Sequence, residues 1–420
     1  MPSLVVPAAA WFGRPQGVRA KRGSRLVRFG ARVRARLVGA ALVSLAGGSG
    51  ACDDAPASRA GSASAAASAH AAAPGVAWIP LAERNAFQLL LVDDGVDLVW
   101  FQATPKPKIL AQRLDSEGNA LGKARDLAEL TAAGLDGVDE IDGLAQAGRL
   151  ALAWSERRGP TRRVMAWLGE LDKPILRPTA LGEHTAPAGV RGNLRVVESR
   201  GTPTVFFRGE NSDCPSGLGG AEERCTSLSF VSLEADATRA RRGPLSVPSP
   251  CPAAIVGVGL SQDTWQYAVC SWRAGKVVTT LFSVDFSPQY ARAIELQPGC
   301  APLGSVVSGP RMLLGFDCGG ARKLVEVDGT AQPHPAVDLG GGELRCDNGH
   351  AVFEAGSFRY RFEQPQAGLA LLLPAPLRHA GVRAVWTGVT LLVAYPLGKH
   401  LVLETHECRG SQLTRRMSLP

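Results

Sequence analysis

Much of what usually identifies a chain's chemistry is missing from these 420 residues. There is no G-x-S-x-G elbow, no H-E-x-x-H pair, no P-loop and no G-x-G-x-x-G following a strand, which excludes the commonest nucleophile, zinc-peptidase and nucleotide-cradling arrangements. No C-x₂-C pair occurs, so the competing reading of a structural zinc site lacks its ligand spacing. No stretch sustains an apolar period of 3.6 residues between helix caps. Helix content is therefore expected to be low, with "DLAELTAAG" (126–134) the best helical candidate. Lysine is scarce, eight against 38 arginines, and the first 51 residues contain no acid at all.

That last absence reinterprets the net charge of +8. Residues 1–51 hold nine basic side chains, from Arg14 to Arg36. Removing them leaves 46 − 9 = 37 Lys+Arg against 38 Asp+Glu, a net of −1. No electrostatic footprint for nucleic acid survives the subtraction. The basic segment is followed by an apolar run, Leu37–Ala46, and by small residues through Ala51. This is the pattern of an export signal; its ten residues fall short of the about 20 needed to span a bilayer. A buried helix is the competing reading. The long basic segment also suggests an internal start near Leu26 or Val33.

The tetrapeptide "SGAC" ending at Cys52 resembles the lipobox of bacterial lipoproteins, in which a cysteine after small residues is diacylated and becomes the first residue. The resemblance covers four residues and departs at Ser49, where the family usually carries leucine; plain secretory cleavage nearby is the alternative. It implies a lipid anchor at Cys52, and in some lineages Asp53 would favour inner-membrane retention. Acyl chains contribute about 0.8 kcal/mol per buried CH₂. The Ala/Ser-rich stretch that follows has too little apolar surface to offset its ordering entropy and reads as a tether. The expected organisation is a signal peptide (1–51), a tether (52–76) and a folded domain (77–420).

Setting Cys52 aside leaves eight cysteines, an even number that in an exported chain implies disulfides. "CPAAIVGVGLSQDTWQYAVC" and "CAPLGSVVSGPRMLLGFDC" read as two copies of one unit. Their duplication argues for Cys251–Cys270 and Cys300–Cys318. Cys214–Cys225 would then close "CPSGLGGAEERC", and Cys346–Cys408 would be a long-range staple.

Those two copies belong to a longer series. Seven pairs of strand-like runs recur over residues 77–420, about 49 residues per unit, beginning with "DLVWF" (97–101), "RLALAW" (149–154), "PTVFF" (203–207), "QYAVC" (266–270), "RMLLGFD" (311–317), "HAVFE" (350–354) and "TLLVAY" (390–395). A period of 40–50 residues with several strands is the signature of a β-propeller. Near-continuous apolar runs fit strands covered on both faces. The expectation is an all-β propeller of about seven blades (six to eight); the alternative is two β-sandwich domains. Trp100, Trp154, Phe207 and Trp272 would fill gaps between blades, and "GVAWIPLA" (75–82) would close the ring. "RLDSEGNALG" (113–122) resembles a strand–turn–strand phrase of exported bacterial propeller-like repeats. Its Asp115, Gly118 and Asn119 read as a turn, with a Ca²⁺ loop as the alternative. The Asp-box, WD, kelch and quinone-binding propeller signatures are missing; at "SQDTWQYAVCSW" Trp265 stands where the Asp-box needs glycine.

Candidate chemistry is sparse. His400, Glu404 and His406 share one strand face, but the two histidines lie about 20 Å apart along it. They read as an exposed outer strand rather than a Zn²⁺ set. "LDGVDEIDG" (135–143) reads as an acidic inter-blade loop, with a cation site as the alternative. No cofactor is implied. The reading is a non-catalytic, lipid-anchored binding or scaffold protein of the bacterial envelope, monomeric, with a protein or glycan ligand on its loops, above all 208–225. Its alternative is an extracytoplasmic hydrolase or lyase, for which Asp93, Asp94, Asp142 and Glu156 are the candidate carboxylates. A soluble periplasmic or secreted location is the alternative to the anchor. Substituting Cys52→Ser is expected to move the protein from the membrane to the soluble fraction and to abolish [³H]palmitate incorporation; unchanged fractionation with no label in either form refutes the anchor.

Overall fold

The protein is seen in a computed structural model that describes residues 76–80 and 86–415, except 131–132, 176, 186–193, 200, 214–223, 234–237, 249, 262–263, 274–275, 286–289, 309–310, 329, 331 and 364. Over most of 209–295, and at 76–80, it describes backbone alone. The described elements are strands apart from two short 3₁₀ segments, Leu369–Leu372 and Ala375–Leu377. The first strand, β1 (Val76–Pro80), stands apart from the repeat.

Five antiparallel meanders of four strands follow. Unit 1 is β2 (Phe87–Val92), β3 (Gly95–Gln102), β4 (Lys108–Asp115) and β5 (Arg125–Glu129). Unit 2 is β6 (Gly137–Gln146), β7 (Arg149–Arg158), β8 (Thr161–Glu170) and β9 (Thr179–Thr185). Unit 3 is β10 (Leu194–Ser199), β11 (Thr202–Asp213), β12 (Arg224–Leu233) and β13 (Thr238–Pro248). Unit 4 is β14 (Pro250–Ser261), β15 (Thr264–Arg273), β16 (Lys276–Asp285) and β17 (Tyr290–Leu296). Unit 5 is β18 (Ala301–Ser308), β19 (Arg311–Cys318), β20 (Ala321–Val327) and β21 (Val337–Asp338). The last two units share one nine-stranded sheet. It comprises β22 (Glu343–Asp347), β23 (His350–Ala355), β24 (Phe358–Arg361), β25 (Gln366–Ala367), β26 (Arg383–Trp386), β27 (Thr390–Leu397), β28 (His400–Arg409), β29 (Gln412–Arg415) and β1.

Each of the seven paired runs forms the second and third strands of a unit, so the repeat is seven-fold in sequence while hydrogen bonding yields six sheets. The first strands succeed one another in space: β2 lies against β6, β6 against β10, β10 against β14 and β14 against β18. The segment Leu369–Leu372 bridges β18 to β26, and β26 returns to β2. The fold is an all-β propeller. Its apolar layers lie between neighbouring units. Trp154, Val99 and Phe101 occupy the layer of units 1 and 2, Phe207 and Val164 that of units 2 and 3, and Phe87, Trp100 and Leu392 that of units 1 and 7. Each such side chain gains roughly 1.5–3 kcal/mol on burial. Trp272 belongs to a stretch whose side chains lie outside the described ones.

Closure is made by β1, which pairs antiparallel with β28 from Val76↔Glu404 to Pro80↔His400. It gives β26–β27–β28 a fourth strand taken from the other end of the chain.

Two local expectations need correction. Residues 125–129 form β5 rather than a helix, because β4 presents an open edge and Leu127 and Ala128 are buried against it; tertiary pairing overrides local propensity. Residues 137–146 form β6 rather than a loop, which puts Glu140 and Asp142 inside the protein. At "RLDSEGNALG", the Asp115 carboxylate accepts the N–H groups of Glu117 (2.9 Å) and Asn119 (2.8 Å), closing the turn. Gly118 takes φ +84° there, where a Cβ would meet Thr405 at 2.4 Å.

Cys300–Cys318 joins the segment before β18 to the end of β19 with Cα atoms 4.4 Å apart, and Cys346–Cys408 ties β22 to β28 at 5.6 Å. These bridges fit an oxidising, extracytoplasmic compartment. Cys52, Cys214 and the side chains of Cys225, Cys251 and Cys270 lie outside the described ones. Sequence separations of 62 and 18 residues imply that losing Cys346–Cys408 costs about 4 kcal/mol and losing Cys300–Cys318 about 3. Urea unfolding of the paired Cys→Ala variants is expected to give that order; a larger loss for Cys300–Cys318 contradicts it.

Candidate functional site

In an antiparallel meander the start of the first strand, the hairpin between second and third strands, and the end of the fourth share one end, here termed upper. Phe87 and Gln88 open β2, Leu194 and Arg195 open β10, and Arg383 opens β26. Arg383 stands over the Phe87 ring, 5.5 Å from its centroid, which places units 7 and 1 together at this end. Between β2 and β10 runs β6, carrying Glu140 and Asp142 two residues apart and hence on one face. Gln88, Glu140, Asp142, Arg195 and Arg383 are all buried, though polar.

Their contacts explain why burial is tolerated. Gln88 Nε2 donates to Asp142 Oδ1 at 2.6 Å, and the Val196 N–H donates to Oδ2 at 2.9 Å. Arg195 Nη1 donates to Glu140 Oε1 at 2.8 Å and to its neighbour's carbonyl, Leu194 O. One strand from each of three units therefore contributes to a single hydrogen-bonded network across the inner wall. Burial raises the Asp142 carboxyl above its ordinary value; Arg195, Gln88 and the Val196 N–H oppose the rise.

Further out at the same end, Glu156 accepts from Trp154 Nε1 at 3.1 Å and from Arg158 Nη2 at 2.8 Å. Asp93 and Asp94 form the β2–β3 turn at the opposite, lower end, where Asp94 meets Arg113 at 3.3 Å. The four candidate carboxylates thus do not form one set: Glu156 lies near the upper end of β7, Asp142 in the middle of β6, and Asp93 and Asp94 at the lower turn of unit 1. Gln88 and Arg195 escaped the sequence reading, and Glu140 entered it only within the acidic stretch 135–143. The signal available was spacing, since each paired run is preceded by a first strand, and at 137–146 that strand is acidic.

The His400, Glu404 and His406 stretch also differs from expectation. His400 is exposed, but Glu404 and His406 are buried where β28 passes from pairing with β1 to pairing with β29. Glu404 accepts from Tyr395 Oη at 2.9 Å and lies 3.2 Å from His406 Nε2, with Arg415 at 3.5 Å. The pairing with β1 and the hydroxyl of Tyr395 enclose what sequence alone presents as a polar edge. Burial and the Glu404 hydrogen bond push the Tyr395 hydroxyl up to about 12. Among the described residues no three His, Cys, Asp or Glu side chains are grouped to hold a metal ion.

Because folding raises the Asp142 value, the native state binds its proton more tightly than the unfolded chain. The resulting advantage is complete below the unfolded value of 3.8 and is lost as pH climbs through the raised folded value. Urea midpoints are expected to fall with rising pH over that window, and less steeply in Asp142→Asn; equal slopes contradict the assignment. Arg195→Met removes the buried Arg195–Glu140 ion pair and is expected to cost about 3–5 kcal/mol in the same assay.

No protein-family model matches the chain, and no curated protein matches it. Among solved structures it is similar to the β-propeller domain of the Trilobed protease from Pyrococcus furiosus, at 11% identity over 80% of this chain and 100% of that one, with a TM-score of 0.42. It is also similar to the Aleuria aurantia lectin in complex with alpha-methyl-L-fucoside, at 9% identity, 82% and 97% coverage and a TM-score of 0.42. A Mycobacterium tuberculosis puromycin-hydrolyzing peptidase shows 13% identity, 83% and 57% coverage and a TM-score of 0.42. These are likenesses in fold, spread over proteins of different activities.

Proposed function

We propose that this is a non-catalytic binding or scaffold protein of the bacterial envelope, held to a membrane through Cys52 and docking a protein or glycan ligand on its upper end. The observation that carries the non-catalytic reading is the commitment of three carboxylates. Asp142, Glu140 and Glu156 each accept from an amide, guanidinium or indole donor of the same chain. General acid–base work on a glycoside needs carboxyl groups facing substrate, about 5–10 Å apart; these three are each bound to donors of their own chain. The upper end receives the 208–225 insertion, which leaves β11 at Asp213 and returns at Arg224. Its tip, 214–223, lies outside the described residues. The disulfides support export, and among the described residues no helix is long and apolar enough to cross a membrane.

A photo-crosslinking residue can be placed at Pro160, exposed on the upper β7–β8 turn, or at Asp94, exposed on the lower β2–β3 turn. In living cells the Pro160 probe is expected to give a discrete adduct and the Asp94 probe none. Adducts from Asp94 alone, or identical products from both, overturn the assignment of the docking end.

A further inference from the structure

The two strands that complete the closing sheet lie along one edge of β28. On its other edge β27 pairs with β28 from Leu397↔His400 to Thr390↔Glu407. β1 and β29 therefore share the outer edge, β1 from Pro80↔His400 to Val76↔Glu404 and β29 from Arg415↔His406 to Gln412↔Arg409. Both run antiparallel to β28, hence in the same direction along it, with only Thr405 between them.

This collinearity sets β1 against the residues that follow β29. Carried past Arg415 in the same register, "RMSLP" (416–420) brings Arg416 opposite Thr405, Met417 opposite Glu404, Ser418 opposite Leu403, Leu419 opposite Val402 and Pro420 opposite Leu401. β1 holds Val76, Ala77, Trp78 and Ile79 against the last four of those positions. A strand edge offers each N–H and C=O to one partner strand, so the two segments exclude one another. Residues 416–420 lie outside the described ones.

The two sequences agree where pairing makes demands. The two-residue turn after Leu397 directs the backbone groups of His400 to β27, and alternation then directs those of Leu401 and Leu403 to the outer edge. Opposite Leu403 both segments place a small residue, Ala77 or Ser418. Val76 and Trp78, or Met417 and Leu419, fall on the face of β28 that carries Val402, 1% exposed within the apolar layer. Neither "VAWIP" nor "MSLP" brings a charge to it. They differ at one bond: Ile79 has an N–H for the Leu401 carbonyl and Pro420 has none. That bond and the fifth pair, Pro80↔His400, favour β1, which holds the edge in the structure.

We propose that residues 416–420 are a second closing strand, which takes the outer edge of β28 when β1 leaves it. The ring then stays closed while residues 76–85 join the chain that leads back to Cys52. Ala86 stays in place, since its carbonyl accepts the Phe101 N–H at 2.9 Å. The reach gained is about 35 Å at 3.3–3.6 Å per residue. The exchange follows from strand register and is independent of the lipid proposed at Cys52.

The test is hydrogen–deuterium exchange of the full-length mature protein, read by mass spectrometry in fragments covering 76–80 and 400–405. Ser418→Pro removes the N–H that would pair with Leu403 and so removes the competitor of β1. It is expected to slow exchange in 76–80 by about three-fold or more, leaving 400–405 unchanged. Ala77→Pro displaces β1, and 400–405 is expected to remain protected. Combining both prolines is expected to speed exchange in 400–405 by about ten-fold or more. Unchanged or faster exchange of 76–80 in Ser418→Pro overturns the proposal. So does loss of protection in Ala77→Pro as large as in the double variant, or protection that survives in the double variant. If Ala77→Pro does not fold, the Ser418→Pro comparison decides.

Discussion

Everything in this protein depends on the last unit receiving a strand from the other end of the chain. Sheets that stack face to face leave two apolar faces uncovered until the first and last meet. Here β1 adds to the edge of β28, and the layer of Phe87, Trp100, Val385 and Leu392 joins units 1 and 7 across that seam. Strand addition makes the joint directional and fixes its register, because a slip by one residue would exchange the faces of every side chain on β1. Cys346–Cys408 reinforces the same region by tying β22 to β28. The merging of units 6 and 7 into one sheet follows, since β28 pairs with β1 over its first half and with β29, which in turn meets β22, over its second.

Closure also creates the electrostatic problem that the inner wall solves. First strands of neighbouring units are brought close enough that acidic residues on β6 leave water. Gln88 and Arg195 arrive from either side and supply them with hydrogen-bond donors. An unpaired buried charge would be costly, whereas a matched pair is close to neutral in stability and strongly specifies geometry. The network therefore ties the relative positions of units 1, 2 and 3 to one another and makes the inner wall polar.

The parts of this arrangement that were legible in the sequence are those set by local pattern. Paired apolar runs averaging about 49 residues per unit located seven hairpins, and "GVAWIPLA" read as the strand that closes the ring. What sequence concealed depends on neighbours distant along the chain. "GVDEIDGLAQ" looks like a solvated loop until Arg195, 55 residues away from Glu140, is placed beside it. "DLAEL" looks helical until β4 offers it an edge. Glu404 and His406 look exposed until β1 and Tyr395 enclose them. In each case a polar or helix-favouring segment was overridden by a contact that no window of adjacent residues contains.

The seam has one more consequence. Val76 pairs with Glu404 and Arg415 with His406, so the first and last strands of the ring lie against positions two residues apart on β28, about 7 Å along it. The ring is thus nearly continuous through space where the chain is not. A short peptide joining β29 to β1 would let new termini open at an inter-unit loop, preserving every sheet while changing which unit emerges first from the ribosome. The order of the units in the gene is, in this architecture, separable from their order around the ring.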